Sequence, residues 1–99
     1  MDFFPIFLNI KEKKCLVVGG GDVSFRKASV LIQAGALVKI VSPELCEAFK
    51  NIPNIEYVPD RFQAAHLNDI TLVIAATDEI ETNEAVSNEA KKRNIPVNV

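Results

Sequence analysis

Three consecutive glycines at positions 19–21 constrain the fold of this 99-residue chain more than any other feature. They follow an unbroken apolar run at 16–18, which is typical of a buried strand, and they precede apolar residues at helical spacing. Three glycines in a row cost chain entropy that a plain turn would not require. The sequence therefore predicts a strand, a tight turn and a helix that begins directly after the glycines.

Strand-like and helix-like segments alternate along the rest of the chain, which predicts a single α/β domain with three layers and a mainly parallel five-stranded sheet. The apolar runs at 16–18 and 72–76 are expected to be central strands, covered on both faces. Weaker strands are expected at 37–41, 55–58 and 95–99, and residues 6–10 could form an extra N-terminal strand.

The first helix should run to about Ala34, with Gly35 in a left-handed conformation at its end. Its spacing predicts an inner face of mostly small residues, namely Ser24, Ala28, Leu31 and Gly35. A last helix is expected at 81–93, and its inward residues should be Ala85, Val86 and Ala90. Short helices are expected at 44–50 and around 63–67.

Composition and charge exclude several classes of function. The chain is 48% hydrophobic and 24% charged with a net charge of −2, and it has no stripe of basic residues for a nucleic acid. No apolar run approaches the roughly 20 residues that span a bilayer. Cys15 and Cys46 form no metal or disulfide motif, and we expect a cytoplasmic protein. His66, the only histidine, is expected to be structural or exposed.

Gly19, Gly21 and Ser24 match the fingerprint Gly-x-Gly-x-x-small with which Rossmann domains bind a dinucleotide. The first glycine permits a tight turn, the second lets the backbone approach a pyrophosphate, and the small third residue permits close helix packing. The preceding strand and the following helix strengthen this interpretation. The alternative is a glycine-rich turn that binds nothing.

Ser42 stands where a Rossmann domain usually places an acid that binds the adenosine ribose. Ser42 can bond to a hydroxyl, and Glu44 either reaches the ribose or belongs to the first turn of the next helix. We find no Arg or Lys directly after this strand to pair with a 2′-phosphate, and Glu44 would repel one. The sequence therefore favours NAD over NADP.

Two further groups of residues have open alternatives. Residues 75–78 end the fourth strand, where ligands of parallel sheets bind, and Thr77 and Asp78 either contact a cofactor or cap the next helix. Arg26 and Lys27 lie near the start of the first helix. Either one of them holds a phosphate or a substrate carboxylate, or both are solvated.

Several motifs together resemble one family along essentially the whole chain. They are Pro-Ile-Phe-Leu at 5–8, Val-Val-Gly-Gly-Gly-Asp-Val-Ser-Phe-Arg-Lys at 17–27, Ala-Gly-Ala at 34–36, Val-Ser-Pro-Glu at 41–44, Ala-Ala-Thr-Asp at 75–78 and Asn-Val at 98–99. This combination resembles the N-terminal domain of siroheme synthase, in the precorrin-2 dehydrogenase/sirohydrochlorin ferrochelatase family, and it is far more specific than the glycine fingerprint.

The resemblance implies that precorrin-2 gives up a hydride to NAD and becomes sirohydrochlorin, on the way to siroheme, and that iron insertion follows in many members. It also implies a homodimer for the full-length protein. The cofactor contacts that it implies are Gly21, Asp22, Val23, Ser42, Pro43, Glu44, Ala76, Thr77 and Asp78.

In the resembled family an essential aspartate directly follows the Asn-Val that stands here at 98–99, and dimerisation and helical domains come after it. We therefore expect residues 1–99 to be an excised or stand-alone NAD-binding domain that binds NAD without dehydrogenating precorrin-2 or inserting iron. The alternatives are a dinucleotide-sensing module, against which Ser42 argues, and an interaction module that binds no nucleotide.

Overall fold

The structure is a computed structural model, and it describes residues 9–99. Within these residues, five strands form one parallel sheet: β1 (Lys14–Val18), β2 (Leu37–Val41), β3 (Glu56–Val58), β4 (Leu72–Ala75) and β5 (Val97–Asn98). They are connected by two α-helices, α1 (Asp22–Gln33) and α2 (Ile80–Lys92), and two 3₁₀ helices, Glu47–Asn51 and Ala64–Leu67. The predicted α/β fold is confirmed. Residues 6–8 of the extra strand lie outside the described residues.

The strands lie in the order β3-β2-β1-β4-β5. In the register of the sheet, Val18 at the end of β1 lies between Val41 of β2 and Ala75 of β4. The chain therefore proceeds outward from β1 to β3 and then returns to the other side of β1. The carboxyl ends of β1 and β4 form the switch point at which ligands of such sheets bind.

The side chains of β1 point alternately to the two faces of the sheet and join two hydrophobic clusters. Cys15 and Val17 pack in the cluster that contains Ala28 of α1, whereas Leu16 and Val18 pack in the cluster that contains Val86 of α2. The central strands are thus covered on both faces, as their unbroken apolar sequence predicts. This arrangement gives three layers, with the sheet between the helices.

Helix α1 begins directly after the glycines, as predicted. Ser24 and Ala28 are fully buried on its inner face, and Leu31 is nearly so. Gly35 has the predicted positive φ, of 86°. Its assignment to the inner face is wrong, however, because α1 ends at Gln33 and the exposed Gly35 lies against Lys11 instead.

The short helix predicted at 44–50 is wrong in its start, since the observed 3₁₀ helix begins at Glu47. The amide of Cys46 donates to the carbonyl of Gly20 at 2.7 Å, which holds the preceding residues as a loop against the glycines. The 3₁₀ helix Ala64–Leu67 agrees with the short helix expected around 63–67.

Helix α2 buries Val86 and Ala90, but Ala85 is exposed, so its assignment to the inner face is wrong. The last strand is shorter than predicted because Asn94 has a φ of 57° and Ile95 still donates to the carbonyl of Ala90. No described helix is both long and apolar enough to cross a membrane.

Candidate functional site

A cleft of about 980 Å³ opens at the carboxyl edge of the sheet, beyond the ends of the paired strands β1 and β4. Three loops converge there: residues 19–21 after β1, residues 42–46 after β2 and residues 76–79 after β4. All the residues predicted to contact the cofactor line this one cleft, namely Gly19, Gly21, Asp22, Val23, Ser42, Pro43, Glu44, Ala76, Thr77 and Asp78. Their contact with a cofactor stays a prediction.

The first two glycines are required by close contacts within the protein. Gly19 has a φ of +130°, and a Cβ there would overlap the carbonyl of Ala76. A Cβ on Gly20 would overlap the carbonyl of Glu44 and would lie 2.8 Å from Ser42 Oγ. Both residues therefore let the three loops approach each other. Gly20 is a cleft residue that the fingerprint did not assign.

Gly21 differs, because a Cβ there would meet no heavy atom within 4 Å. It is the N-cap residue of α1, and it supplies no side chain to cap the helix. Its carbonyl accepts hydrogen bonds from Ser24 Oγ at 2.8 Å and from the amide of Phe25 at 3.0 Å. An uncapped helix start with open space beside Gly21 fits the pyrophosphate of a dinucleotide, since first-turn amides and the helix dipole favour an anion.

The side chains around the cleft are mainly acidic. Asp22, Glu44, Asp78 and Glu79 line it, and Lys27 is the one cation among the described lining residues. An anion in this cleft must therefore be held by backbone amides and Lys27, because the other charges repel it.

Lys27 and Arg26, the two candidates for holding an anion, lie at different positions relative to the cleft. Lys27 lines the cleft, and its Nζ donates to Oδ1 of Asn98, 71 positions away in sequence, at 2.8 Å. Arg26 is exposed and is not among the cleft residues. Lys27 is therefore the candidate for holding an anion, and Arg26 is solvated.

The loop after β2 is fixed by a residue that the sequence did not point to. The hydroxyl of Tyr57 lies 3.0 Å from the carbonyl of Ser42 and 3.2 Å from that of Pro43, so it can donate to either. Glu44 is exposed at the cleft and precedes the 3₁₀ helix. The alternative that placed Glu44 in the first turn of a helix is therefore wrong.

The loop after β4 is fixed by Asn83, which sequence analysis also missed. The Thr77 amide donates to Oδ1 of Asn83 at 3.1 Å, and the Thr77 hydroxyl can donate either to the same oxygen at 2.7 Å or to the carbonyl of Glu79 at 3.0 Å. The Nδ2 of Asn83 donates back to the carbonyl of Thr77 at 3.0 Å. The N-cap residue of α2 is Glu79, so neither Thr77 nor Asp78 occupies the capping position. The only sequence signal for this contact was a polar residue one turn into α2.

A smaller cavity of about 290 Å³ adjoins the cleft and shares Ser42 and Thr77 with it. Its other walls include Asp60, Arg61 and Phe62, from the segment after β3. Arg61 thus lies near the end of β2, although no basic residue follows that strand directly in sequence. Sequence order alone could not place it there.

The remaining side chains with reactive groups are the single histidine and the two cysteines. His66 Nδ1 accepts a bond from the amide of Gln63 at 2.9 Å, and its Nε2 lies 3.5 Å from Oδ2 of Asp60. Its expected structural role is consistent with these contacts. Burial raises the pKa of the Cys15 thiol, whereas Cys46 lines the cleft, and both are free. Residues 9–99 contain no cluster of three potential metal ligands.

Residues 6–99 match the model of a family described as "Putative NAD(P)-binding". The chain belongs to this NAD(P)-binding family. It is 47% identical over its whole length to siroheme synthase from Nitrosomonas europaea, and 49% identical to siroheme synthase from Methylobacillus flagellatus. It spans 22% of the length of each of these relatives. The resemblance drawn from the sequence motifs is thus confirmed.

A solved structure, that of the precorrin-2 dehydrogenase SirC, has the same fold. The two superpose with a TM-score of 0.79 at 23% sequence identity, over 98% of this chain and 49% of the other. The chain is therefore a Rossmann-like NAD(P)-binding domain of the kind found in siroheme synthases.

Proposed function

We propose that this chain is the NAD-binding domain of a siroheme synthase-like protein whose activity is the dehydrogenation of precorrin-2. The observation that carries the proposal is the convergence of three loops on the uncapped start of α1, with open space at Gly21. Family membership and the siroheme synthase relatives support the same function.

The proposed binding mode follows from the position of each loop around the cleft. The pyrophosphate would lie against the backbone of Gly21, Asp22 and Val23, where the helix dipole favours negative charge. The adenosine ribose would lie toward Ser42 and the residues after it, since these end the strand next to β1. The nicotinamide would then extend toward the end of β4.

A preference for NAD over NADP is supported by the exposed carboxylate of Glu44 beside the proposed ribose position. A 2′-phosphate would be repelled by this carboxylate. Arg61 is the one cation among the described residues that line the adjoining cavity, which shares Ser42 with the cleft. We expect the repulsion of a 2′-phosphate by Glu44 to outweigh its attraction by Arg61, because Glu44 lines the larger cleft itself.

Bound NAD would supply a hydride acceptor, so that precorrin-2 would lose a hydride and a proton and become sirohydrochlorin. The chain's own residues bind and orient the cofactor. Lys27 lies at the β5 side of the cleft and is proposed to attract a carboxylate of this carboxylate-rich substrate. A cytoplasmic location and a homodimer of the whole protein belong to the same proposal.

Titration with NAD tests the binding proposal. A ligand that binds only the native state stabilises it by about 2.7 kcal/mol at a concentration of 100 times its Kd. For a domain of this size, we expect the melting temperature to rise by about 10 °C or more. NADP should give a smaller rise at the same concentration. No rise at millimolar NAD would overturn the proposed function.

A further inference from the structure

Asn83 and Thr77 form a closed set of hydrogen bonds at the edge of the cleft. The side-chain amide of Asn83 accepts from the Thr77 amide at 3.1 Å and from its hydroxyl at 2.7 Å, and donates to its carbonyl at 3.0 Å. Both backbone polar groups of Thr77 are thus satisfied by one side chain. The Thr77 hydroxyl also accepts from the amide of Glu79 at 3.2 Å.

These bonds fix a segment that has no regular secondary structure. Residues 76–79 connect β4 to α2, and Ala76 is already held because its amide donates to the carbonyl of Val18 at 2.9 Å. Beyond Ala76 the strand pairing ends, and Asn83 provides the next anchor of the backbone. The loop is therefore fastened to β1 at one end and to α2 at the other.

We propose that Asn83 is the positioning residue that holds the loop 76–79 in its dinucleotide-binding conformation. This inference rests on the proposed function, because it concerns the same cleft. Asn83 itself lines the cleft, so its amide fixes the part of the cleft wall that is formed by the loop after β4. When the wall is fixed before binding, the ligand does not have to order it, and affinity is higher.

The chemistry of the contact requires an amide. Aspartate keeps the acceptor for the Thr77 amide but loses the donor, and its second oxygen then faces the Thr77 carbonyl. Alanine loses all three hydrogen bonds to Thr77. Alanine also has a higher helix propensity than asparagine, and a negative charge near a helix N-terminus is favourable. Neither substitution therefore weakens α2 through local helix energetics.

The test compares Asn83→Ala, Asn83→Asp and the control Asn88→Asp, an exposed position on the same helix. Calorimetry gives the Kd for NAD at a temperature at which every variant is folded, and thermal unfolding without NAD gives the stability. We expect both Asn83 variants to bind NAD about tenfold or more weakly, because Asn83→Asp loses one and Asn83→Ala loses all three of the hydrogen bonds that hold the loop. The control should bind like the wild type.

Amide hydrogen exchange at Thr77 provides a readout that does not depend on NAD. Exchange should accelerate in Asn83→Ala, which loses the acceptor, and should stay slow in Asn83→Asp, which keeps it. Unchanged NAD affinity in Asn83→Ala would overturn the inference, as would a loss confined to Asn83→Asp, which would show charge repulsion alone. A wild-type protein that binds no NAD would refute the proposed function, while the exchange data would still report whether Asn83 anchors the loop.

Discussion

Gly20 and Gly21 are neighbours in sequence, but the structure predicts opposite consequences when each is replaced by alanine. In Gly20→Ala, the new methyl group overlaps the backbone carbonyl of Glu44 and approaches Ser42 Oγ. The carbonyl cannot move away easily, since the Cys46 amide ties this loop to Gly20 at 2.7 Å. Overpacking of this kind costs about 1–3 kcal/mol. The melting temperature should fall by about 4–8 °C for each kcal/mol lost.

In Gly21→Ala, stability should change little. Gly21 has φ −95° and ψ −166°, which any L-residue adopts, and its Cβ position is free of neighbours. The lower preference of alanine for the N-cap position is offset by the reduced entropy of the unfolded chain, so the net effect stays within about 1 kcal/mol. The methyl group would instead occupy the space proposed for the pyrophosphate.

The expected loss of binding follows from the hydrogen bonds that the methyl group displaces. Each hydrogen bond to a charged group contributes about 1.5–3 kcal/mol, so the loss of one weakens NAD binding by about 10- to 100-fold. Thermal unfolding without NAD gives the stability of each variant, and calorimetry gives the Kd.

Gly35→Ala is the matched control, because Gly35 has a φ of +86° but is not a cleft residue. It should lose stability and keep its NAD affinity. Wild-type NAD affinity in Gly21→Ala, or wild-type stability in Gly20→Ala, would refute the distinction between the two glycines.

Three other substitutions or modifications test the remaining parts of the site and fold. Glu44→Gln should raise the affinity for NADP relative to NAD by about fivefold, because it removes a charge repulsion of about 1 kcal/mol; an unchanged Kd ratio in calorimetry would contradict this role. In the native protein, a thiol reagent should modify Cys46 and leave Cys15 intact at neutral pH, because burial raises the pKa of Cys15 and keeps it a thiol, and NAD should slow the reaction. Mass spectrometry measures both rates, and equal rates would argue against these environments. Ala28→Leu should cost about 1–3 kcal/mol in denaturant unfolding, since Ala28 is fully buried, whereas Val30→Ala, at a position 63% exposed, should change stability by less than about 0.5 kcal/mol.

The sequence by itself determined the fold class, the first helix and the glycine loop. The apolar run at 16–18 belongs to a strand buried on both faces, and the small residues Ser24 and Ala28 pack against the sheet. These features depend on local patterns, because the spacing of apolar residues and the conformational freedom of glycine are encoded within a few residues. Where local signals were weak, the predictions were wrong, as for the position of Ala85 and the start of the helix after Glu44.

Only the tertiary structure decided which distant residues complete the cleft. Asn83 meets Thr77, Lys27 meets Asn98 and Arg61 lies near Ser42 because the strand order brings their loops to one edge of the sheet. The tertiary structure also shows that the three glycines have different roles, since the first two permit loop contacts and the third faces open space. The physical reason is that these contacts depend on the order of the strands and on the packing of their loops, neither of which appears in the spacing of residues along the chain.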